Sequence, residues 1–436
     1  MNTVLSIVLF ILFLFIVSNK KIPNSMLFMV MAPLMVLTGM MEASSVWELF
    51  SNTGIWLVMI IGVFAHLMDI SGFDEVIGNT FYKMTQPIKG KYRDLGIYAI
   101  IFIITALCST LMSNVSVALA MVPAIYGISK KTGISRSKMV LFIIYAATLG
   151  GASTLIGTDT NIFANSALEE AGIQPFAMFD FAWVGVPTAI LSGIYMVICN
   201  RWCKSYDDVV EDSPDKKDFS EEEKRVRARQ RKGVSIAFLV FVLGLVLNSF
   251  SIVKVIFPYF NAYIIGFLML SGLWMLKFFD WKTLEKGFKV DYLFTTVGLL
   301  AVAKMISNSS IGDLITNVLG NTLSGNTNPY FIQTVFFVMT VIVTQFMNNM
   351  TACGVIAPIA IALAHSMGAD PRAFVMAIAI GAGCGYLTPF ASGGTNQRMS
   401  VFSECTLVDY MRFGWPLIVI NYACSILILP RVFPFF

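Results

Sequence analysis

The chain has 436 residues, of which 57% are hydrophobic and 13% charged, with a formal net charge of +4. A soluble domain carries about a quarter charged residues, so this balance excludes an ordinary water-soluble enzyme or nucleic-acid-binding module and indicates a polytopic membrane protein. Seven cysteines, at 108, 199, 203, 353, 384, 405 and 424, sit in apolar segments without metal-ligand spacing and read as small buried hydrophobes.

In chain order, apolar segments run over roughly 3–18, 24–41, 54–70, 95–128, 138–165, 180–200, 234–252, 259–276, 291–306, 329–365, 373–400 and 413–430. A spanning helix needs about 20 apolar residues, which leaves room for about ten spans. The first segment has no basic flank or small-residue cleavage site ahead of it and reads as a retained span. Segment 95–128 is flanked by Lys83, Lys89, Lys91 and Arg93 on one side and by Lys130, Lys131, Arg136 and Lys138 on the other. Both ends are therefore expected in the cytoplasm, which makes the segment a re-entrant hairpin and not a single span. Its counterpart 329–365 has flanks almost free of lysine and arginine, and its ends are expected outside. Between them, 205–232 is densely charged; it reads as a solvated cytoplasmic tether, although SEEEKRVRARQRK has glutamates placed ahead of arginines as a helix would.

The halves on either side of this stretch resemble each other. At an offset of 235, residues 112–169 align with 347–404 without a gap and share eleven identities, among them Asn114/Asn349, Pro123/Pro358, Gly150/Gly385, Thr160/Thr395 and Asn161/Asn396. A composition this biased gives about four by chance. Further on, Asp180, Gly185 and Pro187 recur as Asp409, Gly414 and Pro416. Five crossings and one hairpin per half place the second half upside down relative to the first. The expected fold is thus an all-α polytopic membrane protein of two inverted-topology repeats, each with five spans, a re-entrant hairpin and a broken helix, an architecture of secondary transporters.

Polar residues interrupt each half twice. At the hairpin tips, Ser109, Ser113 and Asn114 pair with Thr344, Asn348 and Asn349. Non-helical backbone survives at membrane depth only where it is buried in protein or lines a cavity. Side-chain oxygens beside carbonyls freed at a turn suit a hard cation such as Na⁺, and the helix starting at the tip turns its N-terminal amides toward an anion. The second interruption is glycine-rich, LGGASTLIGTDTN (149–161) against CGYLTPFASGGTN (384–396). It includes Asp159, an intramembrane carboxylate that is costly unless partnered and is a candidate cation or proton site. His66 and Lys304, each in an apolar span, are read as snorkelling side chains. Arg398 has two readings, a contact to an anionic substrate or an interfacial loop arginine.

These motifs resemble the divalent anion:sodium symporter family (SLC13-like anion permeases), which carries a Ser-Asn-Thr motif at each of two opposed tips and a Gly-Thr-Pro-Pro-Asn-like loop in each broken helix. Here the tips read Ser113-Asn114-Val115 and Asn348-Asn349-Met350, and the loops read GTDTN and GGTN. The resemblance implies an elevator-type homodimer in the inner (cytoplasmic) membrane. Residues 1–204 form one repeat (scaffold spans 1–70, transport part 95–200), 205–232 a linker, and 233–436 the other repeat (scaffold 234–306, transport part 329–431). It further implies Na⁺ sites at Ser109, Ser113, Asn114 and Gly157, and at Thr344, Asn348, Asn349 and Ser392; Asp159 joins the first as a candidate on its own chemistry. Substrate would be met by Ser113, Asn114, Val115, Asn348, Asn349, Met350, Thr158, Thr160, Asn161, Thr395 and Asn396. The expected function is Na⁺-coupled symport of a small anion, a di- or tricarboxylate or an inorganic oxyanion. No cofactor beyond the coupling ion, no nucleic-acid partner and no enzymatic activity are expected, and H⁺ is the other candidate coupling ion. Val115 and Met350 replace the family's motif threonines, and Asp159-Thr160 and Gly394-Thr395 its prolines. Those departures keep a proton- or sodium-driven exporter of oxyanions open as the alternative.

Overall fold

The computed structural model describes residues 3–18, 22–23, 25–73, 76, 83–84, 93–203, 220–248, 262–288, 290–308, 328–346, 348–389, 391, 395–403 and 405–436. Among them the fold is all-helical, without strands. The first group comprises α1 (Thr3–Ser18), α2 (Met26–Leu37), the short α3 (Ala43–Glu48) and α4 (Thr53–Ile70). After it come α5 (Arg93–Ser109), α6 (Asn114–Thr132), α7 (Arg136–Gly151), α8 (Asp159–Glu170) and α9 (Ala182–Ile198). The second half contributes α10 (Glu221–Asn248), α11 (Ala262–Met275), α12 (Trp281–Gly287) and α13 (Val290–Asn308). It ends with α14 (Pro329–Thr344), α15 (Asn349–Ser366), α16 (Arg372–Gly383), α17 (Thr395–Ser403) and α18 (Leu407–Val432). Glu221–Leu247, Asn349–Ser366 and Leu407–Val432 are long and apolar enough to cross a membrane singly; the other apolar helices are shorter.

The expected hairpins are present as α5–α6 and α14–α15, and the expected broken helices as α7–α8 and α16–α17. Their packing is reciprocal. The hairpin arm α15 lies on the half-helix α8 of the other half, and α6 lies on α17; likewise α16 meets α8, and α7 meets α17. The remaining helices, α2, α4 and α10 to α13, pack mainly on one another. Contact between the two groups runs through α4 and α13 on one side and α8 and α15 on the other.

The duplicated residues have structural reasons. Asp180 accepts the N–H of Ala177 at 2.8 Å, and Asp409 accepts that of Thr406 at 2.8 Å, so both aspartates start the last helix of their half. Gly185 and Gly414 bring those helices against the broken loops: a Cβ would strike the backbone of Ala152 and Ser153 in one case and the Tyr386 carbonyl in the other.

Two features differ from the sequence reading. The charged stretch is no tether over its second part, because α10 runs unbroken from Glu221 into the apolar segment and crosses the boundary expected at 232/233. Its start is a capping box: Ser220 N–H reaches Glu223 at 2.8 Å, and Glu223 N–H reaches Ser220 Oγ at 3.3 Å. The Ser220 N–H also holds the Glu223 carboxyl below its ordinary value. Arg227 and Arg231 on this helix donate to the carbonyls of Ile70 and Gly72, at 3.3 and 3.5 Å, and so cap the end of α4. Lys304, in turn, does not simply snorkel. Its ammonium lies 3.3 Å from Glu170 on α8 and 3.6 Å from Glu48 on α3, an ion pair that crosses between the two helix groups. One turn before Glu170, the Asn52 amide donates to the Ser166 carbonyl at 3.1 Å across the same seam.

Candidate functional site

Each hairpin tip closes on the loop of the broken helix in its own half. Asn114, the first residue of α6, brings one amide atom to 2.6 Å from Ser109 Oγ. The same atom faces the carbonyl oxygens of Ala147 and Gly157 at 3.0 and 3.2 Å, which identifies it as the nitrogen, its hydrogens shared among three oxygens. Gly151 makes room for this: a Cβ there would lie on the Asn114 amide, and one on Gly157 would strike the Gly151 backbone.

The second tip repeats the plan. Thr344 Oγ1 lies 2.8 Å from Asn349 Oδ1 and 2.7 Å from the Ala382 carbonyl, and Ala382 is the duplicate of Ala147. Asn348 has a separate task, its Oδ1 accepting the Met350 N–H at 2.9 Å as the N-cap of α15.

Threonines that sequence reasoning passed over fasten tip to loop. Thr154 Oγ1 donates to the Thr110 carbonyl and accepts the Gly157 N–H at 3.1 Å. Thr388 Oγ1 donates to the Gln345 carbonyl at 3.0 Å and accepts the Ala391 N–H at 3.0 Å. These two are equivalent in geometry yet escape the ungapped alignment, because they sit one position apart in it: Thr388 falls opposite Ser153 and Thr154 opposite Pro389. Asn161 Nδ2 donates to the Thr154 carbonyl at 2.9 Å; Asn396 Nδ2 donates to those of Gly385 and Thr388 at 2.7 and 3.0 Å. The duplicated asparagines therefore lock the loops, and all four of Thr160, Asn161, Thr395 and Asn396 are buried.

Gln345 is the other omission. Its Nε2 donates to Val341 and Cys384 at 2.9 and 2.8 Å while Oε1 accepts the Leu387 N–H at 3.0 Å. Thr110, at the matching place in the first tip, has no such reach. A glutamine closing an apolar helix beside the tip was the available signal.

Of the remaining expected residues, Ser113 and Thr158 occupy N-cap positions without a side-chain cap bond, and both are half-buried, as are Val115 and Asp159. Met350 is buried with its sulfur 3.9 Å from Thr296 Oγ1 of α13, so it faces the other helix group. Ser392 and the Arg398 side chain lie outside the described residues.

The halves are also joined beneath the loops. Tyr145 of α7 is fully buried, and its hydroxyl donates to the Tyr386 carbonyl at 2.8 Å, at the entry to the second loop. Tyr145→Phe orphans that carbonyl at a cost of about 1–2 kcal/mol. A lower melting temperature in detergent with the helical content unchanged is the expected result, checked by circular dichroism.

The electrostatics follow from helix ends. The C-termini of α5, α7, α14 and α16 reach the breaks, and α6, α8, α15 and α17 start there. Carbonyl ends favour a cation and amide ends an anion. The segments 109–115, 149–161, 344–351 and 384–396 contain no lysine or arginine.

A family model described as a citrate transporter, CitMHS, matches residues 10–381 and 262–435. An uncharacterised transporter of Methanocaldococcus jannaschii is 25% identical over 329 residues, 74% of this chain and 71% of that protein. The sodium-dependent dicarboxylate transporter SdcS of Staphylococcus saprophyticus is 25% identical over 326 residues, 69% of this chain and 62% of that protein. Among solved structures, the Alcanivorax borkumensis YdaH transporter superposes with a TM-score of 0.59 at 15% identity, covering 89% of this chain and 87% of that one. Neisseria gonorrhoeae MtrF, described as illuminating a class of antimetabolite efflux pumps, gives 0.54 at 15% identity over 91% and 83%. At such identities the two structures speak for the fold alone. Broken helices, paired tips and a family match that runs over nearly the whole length agree: this chain belongs to the CitMHS citrate transporter family, within the SLC13-like anion permeases.

Proposed function

We propose that this transporter couples Na⁺ to the movement of a small anion, a di- or tricarboxylate or an inorganic oxyanion, by an elevator-type cycle of a homodimer. In this reading residues 1–204 and 233–436 are inverted repeats, with 1–70 and 234–306 forming the scaffold and 95–200 and 329–431 the moving body. The observation that carries it is the matched pair of tips, Asn114 on Ser109 and the carbonyls of Ala147 and Gly157, and Thr344 on Asn349 and the carbonyl of Ala382. The reciprocal packing of α6 with α17 and α15 with α8 supports the two-fold relation between halves.

The donors fit a hard cation, since each cluster offers hydroxyl, amide and carbonyl oxygens at the carbonyl ends of two helices. In the first, the Asn114 nitrogen faces the carbonyls; turning the amide over presents its oxygen to an ion instead. An anion between the tips would meet helix N-termini and no basic side chain of the tips or loops. Helix ends alone neutralise a divalent anion poorly, so bound Na⁺ supplies the missing charge, and by linkage the anion raises the affinity for Na⁺ equally. In proteoliposomes, an inward Na⁺ gradient should drive uptake of labelled succinate, citrate or sulfate. Uptake of any of them that ignores sodium would end this reading.

Asp159 favours the second reading, proton- or sodium-driven export. It is the carboxylate at the start of α8, half-buried and set at a break. Asp159→Asn is expected to shift the pH and Na⁺ dependence of transport; an unchanged profile leaves it as a carboxylate suited to the α8 N-terminus.

A further inference from the structure

We propose that the corner formed by α10 and the α11–α12 turn holds the phosphate headgroup of an anionic phospholipid, between Arg229 and Lys277. The first support is geometric. Arg229 lies with its guanidinium carbon 5.2 Å from the Phe278 ring centre and donates to the Leu276 carbonyl at 3.4 Å. That places its charge beside Lys277, and both side chains are exposed. Gln230 fastens the same corner through the Phe278 carbonyl at 3.0 Å. Arg225 and Lys232 extend the stripe one turn either way along α10 and are exposed. Among the described residues, no carboxylate within ion-pair distance neutralises Arg225, Arg229, Lys232 or Lys277.

The second support is backbone conformation. Lys277 has φ 54°, the only positive φ at a non-glycine among the described residues. It occupies the position just past the end of α11, where Phe278 N–H returns to the Leu273 carbonyl at 3.0 Å. Glycine is the residue that adopts this conformation without steric cost. A lysine there is retained against local preference, which points to a use for its charge.

The third support is depth, and it selects a lipid over a soluble anion. The apolar run of α10 begins at Gly233, one residue after Lys232, and α11 ends its apolar run at Met275 and Leu276, just before Lys277. Trp274, Met275, Leu276 and Trp281 are 51%, 71%, 65% and 59% exposed around these cations. Exposed tryptophan and aliphatic side chains beside basic ones are arranged for a headgroup with its acyl chains below. The basic flanks assign this face to the cytoplasm.

The test compares full-length protein in nanodiscs of phosphatidylcholine alone or with phosphatidylglycerol, reading retained lipid by native mass spectrometry after transfer to detergent. Each basic side chain near an anionic surface is worth about fivefold in affinity, so Arg229→Gln with Lys277→Gln should cut phosphatidylglycerol retention about 25-fold. Lys224→Gln, which removes a charge already paired with Glu221 at 2.8 Å, should leave retention unchanged. Lys277→Gly separates binding from folding: it should melt no lower than the unmodified chain in phosphatidylcholine, yet lose about fivefold in retention. Full retention in the double variant, equal loss with Lys224→Gln, or competition by millimolar inorganic phosphate would each overturn the proposal.

Discussion

Asn114→Ala and Asn349→Ala should each abolish transport while leaving a folded protein in the membrane. In the first tip the amide is the common partner of the Ser109 hydroxyl and the carbonyls of Ala147 and Gly157. Its removal leaves those oxygens without a shared donor when no ion is bound, and takes away a ligand when one is. The combined loss of about 2–4 kcal/mol corresponds to about 30- to 700-fold weaker cation binding. Asn349→Ala removes the partner of Thr344 and leaves that hydroxyl to the Ala382 carbonyl alone. Sodium-induced thermal shifts and sodium-dependent uptake measure the effect, with gel filtration confirming the fold. Uptake at the unmodified level in both variants would remove the tips from the site.

Gly151→Ala should be nearly as damaging for a steric reason. A methyl group there occupies the place of the Asn114 amide and comes within 2.8 Å of the Gly157 carbonyl. The amide side chain can swing away, but the carbonyl belongs to a loop pinned by Thr154. Overpacking of this kind costs about 1–3 kcal/mol, and here it also displaces a proposed cation ligand. Lower thermal stability together with loss of the sodium response is expected. Gly383→Ala is the control, because a Cβ there meets nothing within 4 Å. It should transport normally; failure in both variants would mean that helix ends near the breaks tolerate no change at all.

Much of the helical architecture was legible from patterns in the sequence. Basic flanks on both sides of 95–128 required a hairpin, and the turn falls between Ser109 and Asn114. Polar, glycine-rich runs in apolar segments had to be breaks, and α7 and α16 end there. The tip pairs Ser109–Asn114 and Thr344–Asn349 were visible because duplication preserved their spacing. Thr154 and Thr388 were not, since the second threonine comes one position earlier in the aligned loop while its hydrogen bonds stay the same. Gln345 and Tyr145 act across long sequence separations: a glutamine closing an apolar helix signals a polar contact but not its partner Cys384, and nothing local marks a tyrosine that reaches Tyr386. The tip motif places Met350 beside the expected site in sequence, and the turn of α15 brings its sulfur against Thr296 of α13, a contact no local pattern foretells. The charged residues from Glu221 to Lys232 were misread because high charge usually means solvation. Here a capping box and two arginines with carbonyl partners at and just past the end of α4 turned it into an extension of a span.

The seam between the helix groups has a consequence for how they can move. Ser166 and Glu170 stand one turn apart on the same short helix, and each is gripped from the opposite side, by Asn52 and by Lys304. In the elevator cycle proposed above, sliding of one group past the other would have to break both grips. Two grips on one helix would give that proposed motion a threshold in place of a shallow slope, with a stop at either end. Packed interfaces tend to be bistable for the same reason.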